Sequence, residues 1–135
     1  MEMDPSYFRI YSFLAYSYLA NGDRRKAGEY FERGFRAGSK DFFLLAHLCY
    51  WCFVSGQPER AEGLLQTILA QTTIHSFYVG LIHSGAGRRE AALDWLEKAF
   101  GERDPAMTLL KVHPELDGLR GEARFQKLLQ AMNFI

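Results

Sequence analysis

Two cysteines and four histidines are the residues of this chain best equipped for metal or redox chemistry. Cys49 and Cys52 form a C-x-x-C. Such a pair can supply half of a zinc site or the core of a thioredoxin-like redox centre. Zinc needs two further ligands at a matching spacing, and His47, His75, His83 and His113 show none of the zinc type. A redox centre needs a strand before the motif and a helix opening at it. Here the motif sits inside the run Phe42 to Val54, FFLLAHLCYWCFV. Packing is the expected role, since a free cysteine behaves as a small buried hydrophobe. His83 reads as a core or partly exposed histidine rather than a catalytic base. Glu90, Asp94, Glu97 and Lys98 are spaced as a solvated helix face with modest pairing. No glycine-rich phosphate loop follows a strand, and no Ser–His–Asp grouping can be drawn. The expectation is therefore no enzyme, with no catalytic residue, no cofactor and no metal.

The elements that carry these residues are helices. The Phe42 to Val54 run is apolar all round apart from His47, which marks a helix buried on nearly every side. It is too short to cross a bilayer, which takes roughly 20 residues. Upstream, Asp4-Pro5 has the chemistry of a helix start. Tyr11, Leu14, Ala15 and Tyr18 then recur at i, i+3, i+4 and i+7, one apolar helix face. Asn21-Gly22-Asp23 breaks that helix and can cap the next, which carries Ala27, Tyr30, Phe31 and Phe35 and ends near Gly38. The pattern restarts at an offset of 34 residues: Leu45, Leu48, Cys49 and Cys52, then Gly56, then Ala61. Pro58 fits the first turn of the following helix, with Ser55 or Gln57 before it, and Ala61, Leu64, Leu65 and Ile68 form its buried side. A third copy follows at an offset of 31, with Ser76, Val79, Gly80 and His83, then Gly87, then Ala92, Leu96 and Ala99. The Gln71–Thr73 connection is the expected place for the missing residues. Trp51 is expected to pack against a neighbouring unit, near Leu44 and His47.

A helix–turn–helix period of 34 residues has a known sequence signature. The chain resembles the tetratricopeptide repeat (TPR) family, whose pattern is W-x2-L-G-x2-Y, then Ala, an aromatic and Pro. The matching segments are Y-x2-L-A-x2-Y (Tyr11 to Tyr18), L-x2-L-C-x2-C (Leu45 to Cys52) and S-x2-V-G-x2-H (Ser76 to His83). The small residue of each second helix is kept as Ala27, Ala61 and Ala92, with Phe31, Leu65 and Leu96 four residues later. The Trp is missing throughout, Ile68 is larger than the usual Ala, and the terminal Pro is lost in the first two copies. The resemblance implies an all-α fold: a right-handed α-solenoid of three TPR-like repeats (about 6–39, 40–72 and 73–104) plus a C-terminal helical cap (about 105–135), in one domain. The segment from Glu102 leaves the period and is similar to the closing segment of many bacterial repeat proteins of this class. It reads as a short helix through Ala106, Leu109 and Leu110, a break at Val112-His113-Pro114, a turn at Asp117-Gly118, and a last helix bearing Phe125, Leu128, Leu129 and Met132. Glu2-Met3-Asp4-Pro5 looks like the tail of a preceding repeat. The chain is thus expected to be either the C-terminal piece of a longer array or a short protein that starts here.

Composition narrows the partners. Sixteen basic and sixteen acidic side chains give zero net charge, without the basic footprint that nucleic acid or an anionic membrane requires. MEMDPSYF has neither the basic region nor the apolar run of a signal peptide. A cytoplasmic location is the resulting expectation. By the resemblance, the first helices line a concave groove. Its equivalent positions here are Ser12, Tyr16 and Leu19, then Ala46, Tyr50 and Phe53, then Phe77, Leu81 and Ser84, extended by Arg9, Phe43 and Ile74. Family members that hold the acidic C-terminus of heat-shock chaperones use Lys, Arg and Asn at such positions, and this row lacks them almost entirely. The expected partner-binding groove is Tyr16, Leu19, Phe43, Ala46, Tyr50, Phe53, Phe77 and Leu81, apolar and aromatic, with Tyr50 and Phe53 central. It would take a protein or peptide with an apolar face, as a scaffold or regulatory module. Otherwise it is already filled, by a preceding repeat, by the chain's own last helix, or by a second copy in a homodimer. A self-associating structural module and a small chaperone for a secreted client are the alternative functions.

Overall fold

The computed structural model describes residues 6–133, and among them every regular element is helical. The Asp4-Pro5 start and the Glu2–Pro5 tail fall outside the described residues, as does the side chain of Arg9. Helices α1 (Ser6–Ala20) and α2 (Arg24–Arg36) form a hairpin, as do α3 (Phe42–Val54) and α4 (Pro58–Leu69), and α5 (Ser76–Gly85) and α6 (Arg89–Gly101). Two 3₁₀ turns, Pro105–Leu109 and Pro114–Leu119, lead to α7 (Ala123–Ala131). No described helix is long and apolar enough to cross a membrane.

The three hairpin turns are built alike. Gly22, Gly56 and Gly87 take φ of 81°, 84° and 76°, a conformation that costs a residue without Cβ little. In each, the amide just beyond the glycine reaches back to the first helix. Asp23 donates to the Tyr18 carbonyl at 2.8 Å, Gln57 to Cys52 at 2.8 Å, and Arg88 to His83 at 2.9 Å. These bonds satisfy carbonyls that a helix end otherwise leaves open. Asp23 also caps α2 through the Lys26 amide, and Asp41 caps α3 through the Leu44 amide. At the start of α4, Gln57 provides no side-chain cap, and Pro58 stands in the first turn.

Each hairpin closes on a small residue. Ala27, Ala61 and Ala92 are buried completely or nearly so. Opposite them stand Ala15, Cys49 and Gly80. The Cys49 thiol donates to the Ala61 carbonyl at 3.2 Å, and a Cβ on Gly80 would lie 3.3 Å from the Ala92 carbonyl. Small side chains on both helices let the backbones approach, which fixes the crossing.

The third hairpin loses its missing residues from a helix and not from a loop. Connection 70–75 is longer by one residue than connection 37–41, while α5 has 10 residues against 13 in α3. Ser76, in the slot of Leu45, is the first residue of α5. The residues just before it include Thr72, Thr73 and Ile74, whose β-branching disfavours another helical turn.

Helix α3 is the hub. It packs on α4, on α2 before it and on α5 after it, and only its C-terminal end and the flank with Phe43, Trp51 and Phe53 retain exposure. One apolar cluster runs from α1 to α5, and a second joins α5 and α6 to Met107, Leu110, Leu116, Leu119 and the Phe125–Leu129 face of α7. The expected short helix at Ala106–Leu110 and the expected turn at Asp117-Gly118 are both parts of 3₁₀ turns. Segment 105–119 lies against α5 and α7 against α6. The second attachment adds a polar contact to the buried Phe125–Leu129 face: Arg124 bonds Glu90, Asp94 and Glu97 of α6 at 2.6 to 3.0 Å.

Candidate interaction surface

The row expected to line an open groove is a packing row. On α1, Tyr16 meets the His47 ring of α3 edge-on at 5.0 Å and the Phe31 ring at 5.5 Å. Leu19 lines a cavity of about 20 Å³ with His47 and Tyr50 of α3. On α3, Phe43 packs its ring on Tyr78 of α5 at 4.9 Å. Tyr50 lies against Gly85 at the end of α5, where an added Cβ would come within 2.5 Å of its ring. Phe53 lies under the Arg88 guanidinium at the next hairpin turn, and Ala46 is buried between these contacts. On α5, Phe77 and Leu81 are buried in the second cluster, and Ser84 donates to the Glu115 carbonyl at 3.1 Å.

Each first helix thus presents this row to whatever follows it. For α1 the follower is α3, met through Tyr16 and Leu19; for α3 it is α5, and for α5 it is segment 105–119. Of the eight residues, Ala46, Tyr50, Phe77 and Leu81 are buried, and Tyr16, Leu19, Phe43 and Phe53 are half-buried. The third part of the row is covered by the 3₁₀ turns and not by the last helix, which sits on α6 instead.

A second row faces the other way and receives what precedes. In α3 it comprises Leu44, His47 and Trp51. Leu44 abuts Gly34 of α2, His47 meets the Phe31 ring at 5.1 Å, and Trp51 lies where a Cβ on Gly28 would come within 2.6 Å. In α5 the equivalent row begins with His75 and Tyr78, whose rings meet Phe43 of α3 at 4.8 and 4.9 Å. In α1 it is Ile10, Phe13 and Ser17, at the same offset of 34 residues from Leu44, His47 and Trp51. There it receives nothing among the described residues: Phe13 is 71 % exposed and Ile10 53 %. Periodicity marks these positions as equivalent, so they could have been found in the sequence. What it lacks is any sign that the α1 row is the uncovered one.

Of the residues suited to metal or redox chemistry, Cys49, Cys52, His47 and His83 are buried, and His75 and His113 are half-buried. Cys49 and Cys52 are fully enclosed, and burial pushes the Cys49 thiol up to about 12 and raises that of Cys52. His83 is buried with its Nδ1 unpartnered, and burial lowers its basicity. His47 and His113, with rings 6.4 Å apart, are lowered to about 3 and about 4, in each case chiefly by burial. Glu115 was not singled out in the sequence. Its carboxyl is buried at the cavity shared with Leu19, Arg24, His47 and Tyr50, with Oε2 unpartnered, and burial raises it to about 7. An open cleft of about 690 Å³ lies between Phe35, Phe42, Leu45 and His75 and the α4–α5 connection. No group of three or more potential metal ligands comes together among the described residues. Comparison with protein-family models, with curated proteins and with solved structures finds no match.

Proposed function

We propose that this chain is a protein-interaction module, built as a right-handed α-solenoid of three TPR-like hairpins closed by a C-terminal cap. It docks through the receiving row of α1. The observation that carries the reading is the exposure of Phe13 and Ile10, at positions whose counterparts His47 and Leu44 are 5 % and 0 % exposed. Large apolar side chains left open together mark interaction surfaces. Docking there is driven by apolar burial and depends weakly on salt. The row of Tyr16, Leu19, Phe43, Ala46, Tyr50, Phe53, Phe77 and Leu81 supports it from within, by holding successive hairpins together.

The test is site-specific photo-crosslinking in extract of the cells that make the protein. A benzophenone side chain replaces Phe13 in one variant and Val112, which is 67 % exposed, in a control. A discrete protein adduct at position 13, missing at 112 and abolished by Ile10→Asp, is the expected result. Identical adduct patterns at the two positions would sink the reading.

A further inference from the structure

The α1 receiving row has a template within the same molecule. We propose that its partner is a single amphipathic helix carrying an aromatic residue and, three residues further on, a glycine or alanine, as α2 does with Phe31 and Gly34. This rests on the docking role proposed for α1 and specifies what docks.

The α3 row shows how such a helix is received. Leu44 abuts Gly34, the His47 ring meets Phe31 edge-on, and Trp51 lies over Gly28. Glycine at positions 28 and 34 lets the large side chains of α3 approach the α2 backbone. Ile10 and Phe13 reproduce the first two contacts: a branched aliphatic residue in place of Leu44 and an aromatic ring in place of His47. A Phe–Phe pair at the second contact favours the same edge-to-face geometry. The third contact differs, because Ser17 replaces Trp51 and its hydroxyl is turned back to the Phe13 carbonyl at 2.9 Å. The docked helix therefore has room for a large residue where α2 has Gly28. Its face should read large apolar, aromatic and small at i, i+3 and i+6.

The chain's own copies are poor candidates. The α2 face is covered by α3, and the last forward row, with Phe77 and Leu81, is covered by segment 105–119. A second copy has neither surface to offer without opening its own fold.

The probe is a hydrocarbon-stapled peptide with the sequence of residues 23–37, fluorescein-labelled, with Gly28→Leu. The staple supplies helicity that an isolated peptide of this length lacks. Fluorescence polarisation with the full chain should show saturable binding, weakened about tenfold or more by Phe13→Asp in the protein or by Phe31→Asp in the peptide. The parent peptide with Gly28 should bind more weakly than its Leu form, the reverse of what Gly28→Leu would do beneath Trp51 in the intact chain. Equal binding to wild type and Phe13→Asp, or no preference for Leu at position 28, would overturn the proposal. So would a dimer in light scattering that Phe13→Asp splits, since the occupant would then be a second copy. A crosslinked adduct at position 13 that the peptide fails to displace would overturn the partner chemistry alone and leave the docking role standing.

Discussion

Glu115 is the residue where burial and charge conflict most. The residue is 6 % exposed, and its Oε2 has no partner. The charges and rings around it are Arg24 of α2, Tyr16 of α1, His47 and Tyr50 of α3, and His113 on its own segment. Folding raises its pKa from 4.5 to about 7. Its stabilising contribution is thus complete below pH 4.5 and lost as pH climbs through 7. A shift of that size corresponds to roughly 3 kcal/mol. His47 and His113 act in the opposite sense: their contribution is present above pH 6.5 and lost as pH falls through about 4 and about 3. Glu115→Gln removes only the first effect. Its melting temperature should exceed wild type at pH 8 and converge with it near pH 4.5, as followed by circular dichroism; a gap of constant size across that range would show that ionisation is not involved. The thiols give a second check. Cys49 and Cys52 should resist an aromatic disulfide reagent until the chain is denatured, when both should react. Rapid labelling of native protein would contradict their burial. The packing role of this pair was legible because a C-x-x-C inside an apolar helix has core slots on both sides. Glu115 was not, because HPELDGL has no period from which to tell a buried carboxylate from an exposed one.

At the scale of elements, the helix hairpin is the unit, and its closure depends on small residues at the crossing. Ala61 is fully buried, with its carbonyl 3.2 Å from the Cys49 sulfur. Ala61→Leu would force apart α3 and α4, costing about 1–3 kcal/mol. Chemical denaturation should show a lower midpoint with unchanged slope. Ala70→Leu, at the exposed end of α4, is the control, and equal midpoints for the two variants would mean that the crossing is not where the backbones meet. Helix positions and turns were readable in the sequence because Gly22, Gly56 and Gly87 follow apolar faces of period 3.6. Two details were not. The three residues missing from the third hairpin come out of α5's first turn, since a loop must still span the gap whatever the repeat length. The segment after Asp104 became 3₁₀ turns, held by an Asp104 cap, an Arg120 side chain bonded to the Lys111 and His113 carbonyls, and the anchors Leu116 and Leu119. None of these has a helical period to announce it.

The whole molecule has two unlike ends. Each first helix sends one row forward and receives with the other, so any succession of such hairpins leaves one row uncovered at each end. A repeat equates Ala46, Tyr50 and Phe53 with Phe77, Leu81 and Ser84, but it says nothing about what lies on them; the occupant of the last row is aperiodic. That is why an open groove was expected where the chain packs on itself. Segment 105–119 closes the forward end through Leu116 and Leu119, while α7 joins the same apolar cluster through Phe125, Leu128 and Leu129 and is tied to α6 by Arg124 on its carboxylates. Leu116→Asp should therefore release the segment from α5. The exposed forward row of α5 would then match the open receiving row of α1 on another copy. Contacts between unlike surfaces that do not close on themselves produce open chains. Light scattering of Leu116→Asp should show a mass that rises steadily with concentration, and adding Phe13→Asp should return it to a monomer. If the single variant aggregated equally with or without Phe13→Asp, its association would be nonspecific and the two ends would not be complementary. If it stayed monomeric with native helicity, segment 105–119 would not be what keeps the forward row closed.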